Sequence, residues 1–108
     1  MKPQYIYVAG PYTKGDVVLN VRYAIQEGDY ITRLGHYPFI PHLSHFWHMI
    51  QPHEYKFWID QDMKWLEKCD AILRLPGESS GADGEVKRVQ ELGLTLYTSV
   101  FDIPKADE

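Results

Sequence analysis

Glu85 closes a stretch whose residue types could bring a backbone close to a ligand. Ala71-Ile72-Leu73-Arg74-Leu75 is an apolar run of strand length. It breaks into a loop of Pro, Gly and Ser, from Pro76 to Gly81. Val86, Val89 and Leu92 then recur at helical spacing. The pattern is strand, small-residue loop, helix. In an open α/β sheet such a loop lies at the carboxyl end of a strand, where ligands bind. Free N–H groups at a helix start favour negative charge, so Glu85 is expected in the first helical turn and ionised. An ionised carboxylate fixed in a cleft can act as nucleophile, base or electrostatic stabiliser. The ordinary explanation is turn chemistry from Gly and Ser, with a glutamate offsetting the helix dipole.

Asp62 is the carboxylate to pair with Glu85. It lies on the helix that leads into the strand at Ala71. Two carboxylates flanking a glycosidic bond are the standard means of cleaving it: one meets the sugar carbon, the other serves the leaving group. The alternative for Asp62 is a solvated helix charge near Lys64 and Glu67. His42, His45, His48 and His53 crowd one segment without a nearby Cys or a His-Glu-x-x-His spacing. They fit pocket lining or packing with Phe46 and Trp47 better than a metal site, and neither metal nor cofactor is expected. Tyr7, Tyr12, Phe46, Trp47 and Trp58 could stack a planar ligand, whereas Trp65 fits the core. Ser79, Ser80 and Gly81 could hold a phosphate or a sugar hydroxyl, without the Lys of a P-loop.

These residues need a scaffold. Tyr5-Ile6-Tyr7-Val8-Ala9 reads as a central strand, followed by a loop at Gly10-Pro11-Tyr12. Asp16 caps a helix over about 16–34, with Val17, Val21, Ala24, Gly28, Ile31 and Leu34 on its apolar face and Gly35 ending it. A strand over 37–40, with Pro38, suits an edge. Ser44 caps a short helix that Pro52 ends, and another helix runs over about 54–68. The strand over 71–75, a helix over about 82–92 stopped by Gly93, and a strand over 94–97 complete the set. The tail over 98–108 is polar and irregular. This βαβαβαβ pattern implies a flavodoxin-like three-layer α/β/α fold in one domain over 1–108. Its parallel sheet has four strands, with a fifth only if the tail supplies one, in the order 2-1-3-4. The switch point then lies between the first and third strands, and both loops face one crevice.

The totals narrow the classes. The chain has 108 residues, 44% of them hydrophobic, so it is not a disordered chain. No apolar run approaches the roughly 20 residues of a membrane span, and no leader is read at the N-terminus. The single Cys69 forms no internal disulfide, which fits a reducing cytoplasm. With a net charge of −4 and no basic block, a nucleic-acid polymer is not an expected partner. Aromatics reach 14%, more than so small a core can bury, so some pave a pocket or a homodimer interface.

Three motifs in order carry a resemblance: Ile6-Tyr7-Val8-Ala9-Gly10-Pro11, then Asp62-x2-Trp65-Leu66-x3-Asp70-Ala71, then Ser79-x-Gly81-x3-Glu85. Together they resemble the nucleoside 2-deoxyribosyltransferase-like family, over about residues 5–97. That family includes transferases that exchange bases on deoxynucleosides and hydrolases that release the base from deoxynucleoside monophosphates. The resemblance implies that Glu85 is a nucleophile forming a covalent deoxyribosyl-enzyme intermediate. It implies that Asp62 is an acid engaging base or sugar, that Tyr7 stands at the sugar, and that Ser79, with Gly81, meets a 5′-phosphate. Gly10, Pro11, Tyr12, Ser80 and His45 complete the expected substrate-binding set. Asp83 and Thr13 depart from the monophosphate hydrolases, which tend to have Gly and Arg there, although Lys14 and Arg22 are near. The chain also lacks the transferases' C-terminal extension, and the segment from His42 to His48 has no assigned counterpart. The expectation is an enzyme acting on the N-glycosidic bond of a nucleoside or nucleotide, by transfer or, alternatively, by hydrolysis of a monophosphate. A non-catalytic nucleotide or dinucleotide sensor is the reading from a different class.

Overall fold

The computed structural model describes residues 1–107. Strands β1 (Tyr5–Ala9), β2 (Tyr37–Phe39), β3 (Ala71–Arg74) and β4 (Thr95–Tyr97) form one sheet in the order β2-β1-β3-β4. Every pairing is parallel, with Tyr7 opposite Phe39 on one side and Ile72 on the other. Parallel neighbours cannot be joined by a hairpin, so helices make the crossovers. These are α1 (Val17–Arg33), α2 (Ser44–Ile50), α3 (Tyr55–Leu66) and α4 (Ser80–Leu92). The fold class read from the sequence is the one observed. β1 and β3 are adjacent in the sheet although β2 lies between them in the chain, and a crevice opens at their carboxyl ends.

Local chemistry explains the elements. Asp16 accepts the Leu19 N–H at 3.1 Å and starts α1. Val21, Ala24, Gly28 and Ile31 then turn one buried face to the sheet. A Cβ at Gly28 would collide with the Ile40 side chain, so glycine lets α1 lie against the end of β2. Side chains alternate across the sheet. Ile6, Val8, Ala71 and Leu73 meet Ala24 and Ile31 on one face. Tyr7, Ala9 and Ile72 meet Leu66, Ala82 and Val89 on the other.

Several expected details change. α4 begins at Ser80, because Ser79 is its cap and not part of a loose loop: the Ser79 hydroxyl accepts the Ala82 N–H at 3.1 Å. Ser44 does not cap α2; it is the first helical residue, and no side chain caps that helix. α3 is shorter than expected at both ends. Trp65 is not a core residue: it is 51% exposed and stacks on Phe39, with ring centroids 5.2 Å apart. The tail contains a short 3-10 turn at Val100–Asp102, and Val100 and Ile103 are buried against the α1 face. Buried His36 holds this tail. Its Nδ1 accepts the Gln4 N–H at 2.9 Å, so its Nε2–H donates to the Pro104 carbonyl at 2.6 Å. Among the described residues no helix is long and apolar enough to cross a membrane.

Candidate active site

The loops after β1 and β3 are packed together by two glycines. A Cβ on Gly10 would stand 2.9 Å from the Leu75 Cβ, and one on Gly77 2.8 Å from the Pro11 Cγ. Gly77 also has φ +112, a conformation side chains disfavour. The first loop is pinned from α1, where the Asn20 amide donates to the carbonyls of Tyr12 and Lys14. The second is pinned by Arg74, which donates to the Gly77 carbonyl at 3.0 Å and to Asp83 at 2.9 Å. The negative charge of Asp83 is thereby paired.

Between these loops lies a cavity of about 1050 Å³. Glu85 and Asp62 both line it, Glu85 from α4 and Asp62 from α3. Glu85 is only 8% exposed. Counting from the Ser79 cap, Glu85 stands in the second turn of α4, beyond the free N–H groups. The expected place in the first helical turn is therefore corrected. Burial pushes the Glu85 carboxyl up to about 7; the Tyr7 hydrogen bond opposes this, the Asp62 charge adds to it, and Arg74 opposes it. Burial likewise pushes Asp62 up to about 7. Asp62 is thus a partly buried cavity acid, while Lys64 and Glu67 pair with each other at 3.9 Å. Burial is thus the main cause at both carboxyls, and the Asp62 charge adds to the rise at Glu85.

Tyr7 does not line the cavity. It is fully buried beneath Glu85, and its hydroxyl donates to Glu85 Oε2. Burial first, then the charges of Glu85 and Asp62, hold the Tyr7 phenol well above its usual range, so it remains a donor. Pro11 is also set back from the cavity, where its carbonyl accepts from His42 Nε2 at 3.0 Å. Gly10, Tyr12, His45, Ser79, Ser80 and Gly81 do line it. The Ser79 carbonyl and hydroxyl take the N–H groups of Asp83 and Ala82, leaving those of Ser80 and Gly81 at the helix start. Cys69 is no rival nucleophile: burial and then Asp70 push its thiol up to about 11.

The histidine segment supplies another part of the wall. His42, His45, His48 and His53 all line the cavity. His42 is 5% exposed, and burial lowers its pKa against the carbonyls of Pro11 and Gly10. His45 Nδ1 and the Tyr12 hydroxyl are 2.7 Å apart. Of the aromatic residues considered for stacking, Tyr12 and Trp58 line the cavity, while Phe46 and Trp47 are not part of its lining. Sequence reading missed Tyr55 and Ile59, which line the cavity with Asp62. Their i, i+4, i+7 spacing on α3 was the available signal. Among the described residues no cluster of His, Cys, Asp and Glu is arranged to hold a metal ion.

A solved structure of similar fold is that of a 2-deoxyribosyltransferase from the psychrotolerant bacterium Bacillus psychrosaccharolyticus, described as a biocatalyst for the synthesis of nucleosides. The TM-score is 0.65 at 18% sequence identity, covering 85% of this chain and 69% of that one. At this identity the likeness is one of fold. No curated protein matches the sequence. Residues 4–99 match a domain family of unknown function, DUF7768, and the chain belongs to that family.

Proposed function

We propose that this protein cleaves the N-glycosidic bond of a nucleoside or nucleotide, with Glu85 as nucleophile and Asp62 as acid. The observation that carries this reading is the sharing of one cavity by two carboxyls, both brought to about 7. Near pH 7 a state with Glu85 ionised and Asp62 protonated is populated, which is what this chemistry needs. The Glu85 carboxylate attacks the anomeric carbon as the bond to the base nitrogen breaks. The bonding pair goes to the base, and Asp62 supplies the proton. Tyr7 holds the attacking carboxylate from below. The resulting glycosyl ester is opened by water or by a second base, whose proton returns to Asp62, and Glu85 leaves as carboxylate. Transfer and hydrolysis share this first half.

A monophosphate substrate is supported by a separate observation. Lys14, Ser79, Ser80 and Gly81 all line the cavity, the last two at the start of α4. Lys14 is offset by Glu78, 3.9 Å away. We also propose a homodimer covering the exposed rings of Tyr5, Tyr37 and Trp65.

The test is incubation with deoxynucleosides and their 5′-monophosphates, with and without a second base. Exchange of bases identifies a transferase; free deoxyribose or its phosphate identifies a hydrolase. Ligand binding that is unchanged in Glu85→Gln, with no wild-type turnover, would make the protein a sensor and overturn the catalytic reading. Light scattering at micromolar concentration tests the dimer.

A further inference from the structure

His48 carries a ring whose tautomer is fixed by its neighbours. Its Nδ1 accepts from the Trp58 indole N–H at 3.1 Å and from the His53 backbone N–H at 3.2 Å. Both partners can only donate. The Nδ1 is therefore bare, and the neutral ring carries its proton on Nε2. The nitrogen left for a ligand is a donor.

The surrounding rings hold this arrangement in place. Trp58 meets the His48 ring edge-on at 5.8 Å and Trp47 at 5.0 Å. His53 stacks on Phe57 with centroids 3.8 Å apart. His48 and Trp58 both line the cavity that holds the carboxyls. Trp58 lies one turn before Asp62 on α3, about 6 Å along the axis at ~1.5 Å per residue. His48, Trp58, Asp62 and Glu85 all line the one cavity, so a planar base held at Asp62 and Glu85 has Trp58 and His48 among the side chains its far edge can meet.

We propose that His48 is a specificity-determining residue that selects the base, its Nε2–H donating to an oxo group on the far edge of the ring. The inference rests on the N-glycoside reading above and names its substrate class: 6-oxopurine or 4-oxopyrimidine nucleosides over their amino counterparts. His48 is exposed in the free protein, and an amino group would set donor against donor and forgo this hydrogen bond. One neutral hydrogen bond lost this way corresponds to about a tenfold preference.

The experiment compares deoxyinosine with deoxyadenosine, and deoxyuridine with deoxycytidine, by kcat/KM for base release. The wild type should favour the oxo member of the pair it accepts by about tenfold. His48→Gln, which keeps an N–H near the Nε2 position, should retain that ratio. His48→Leu should bring it towards one, and Trp58→Phe, which removes one donor to Nδ1, should reduce it. Because each ratio is taken within one variant, partial misfolding does not move it. A wild-type ratio of one, a preference for the amino member, or an unchanged ratio in His48→Leu would overturn the proposal. Should no nucleoside be cleaved at all, the catalytic reading fails by itself. The same pairs are then compared by calorimetric affinity, where equal binding overturns the role of His48.

Discussion

On one face of the sheet, Ile6, Val8, Ala71 and Leu73 meet Ala24 and Ile31 of α1, and these contacts are all apolar. On the other face, β1 places Tyr7 between Ile6 and Val8 in sequence but opposite to them in direction, and its hydroxyl reaches the carboxyl of Glu85. One strand thus serves two environments by alternation alone. The α1 face gains stability from apolar burial, which does not itself titrate. The α3 and α4 face holds two carboxyls where water cannot fully solvate them, and gives up stability whenever they ionise. A fold of this size can carry such a site because the opposite face does not depend on it.

The sharpest way to break this comparison is Glu85→Gln. Turnover should fall by ~10³-fold or more, because the nucleophile is gone. Stability should move the other way. The folded value of Glu85, about 7, lies above its ordinary 4.5, so the folded state holds this proton more tightly than the unfolded chain does. The stabilisation is complete below the ordinary value and is lost as pH rises through 7. At pH 8 the variant should therefore exceed the wild type by up to about 3 kcal/mol, and at pH 4 the two should coincide. Urea unfolding at both pH values measures this. Equal stability at pH 8 would mean that the carboxyl is well solvated.

Asp62→Asn tests the second acid. An amide cannot supply the proton, and a loss of ~10²–10⁴-fold is expected for nucleosides with a neutral base. The wild-type rate should trace a bell centred near pH 7, falling below it as Glu85 gains a proton and above it as Asp62 loses one. The variant should lose the alkaline limb and keep the acid one. Loss of the acid limb instead would exchange the two roles.

Ile31→Ala probes the opposite face. Ile31 is fully buried against the sheet, and its truncation should cost about 3 kcal/mol, the middle of the usual range for such cavities. Turnover per folded molecule should not change. A fall in kcat under conditions where the variant is fully folded would show that the two faces are coupled, and that the sheet does not insulate one from the other.

What could be seen beforehand follows the same division. The scaffold was legible because it depends on local rules. The β-branched and aromatic run from Tyr5, the Asp16 cap and the spacing from Val21 to Ile31 each name an element, and alternation of strands and helices names the sheet order. The carboxylates were legible as a pair because Asp62 lies on the helix that leads into β3 and Glu85 on the helix that leaves it. Their protonation was not, because it depends on burial, which no spacing reports. The contact of Tyr7 with Glu85 joins residues 78 apart in sequence. Trp65 was misplaced for a related reason: an apolar residue on a helix can lie just past the buried stripe, where Phe39 covers only one side of its ring. The histidines were visible as a cluster, but which ring nitrogen each one presents required the positions of Trp58, His53 and Pro11.

Tyr7→Phe separates chemistry from packing at the one residue where the two faces share a strand. The ring can keep its place on Phe39, with centroids 5.5 Å apart, while the donor to Glu85 disappears. That hydrogen bond holds the Glu85 carboxyl lower than burial alone would, so its loss should raise the value further. Less carboxylate is then available at neutral pH, and the acid limb of the rate profile should move to higher pH. The remaining carboxylate is less firmly aimed, and kcat should fall about tenfold, in line with one hydrogen bond to a charged group. A crystal structure of the variant in which the substituted ring still stacks on Phe39 would assign the loss to the hydroxyl. An unshifted acid limb would reduce Tyr7 to a packing residue and leave the protonation of Glu85 to burial, Asp62 and Arg74.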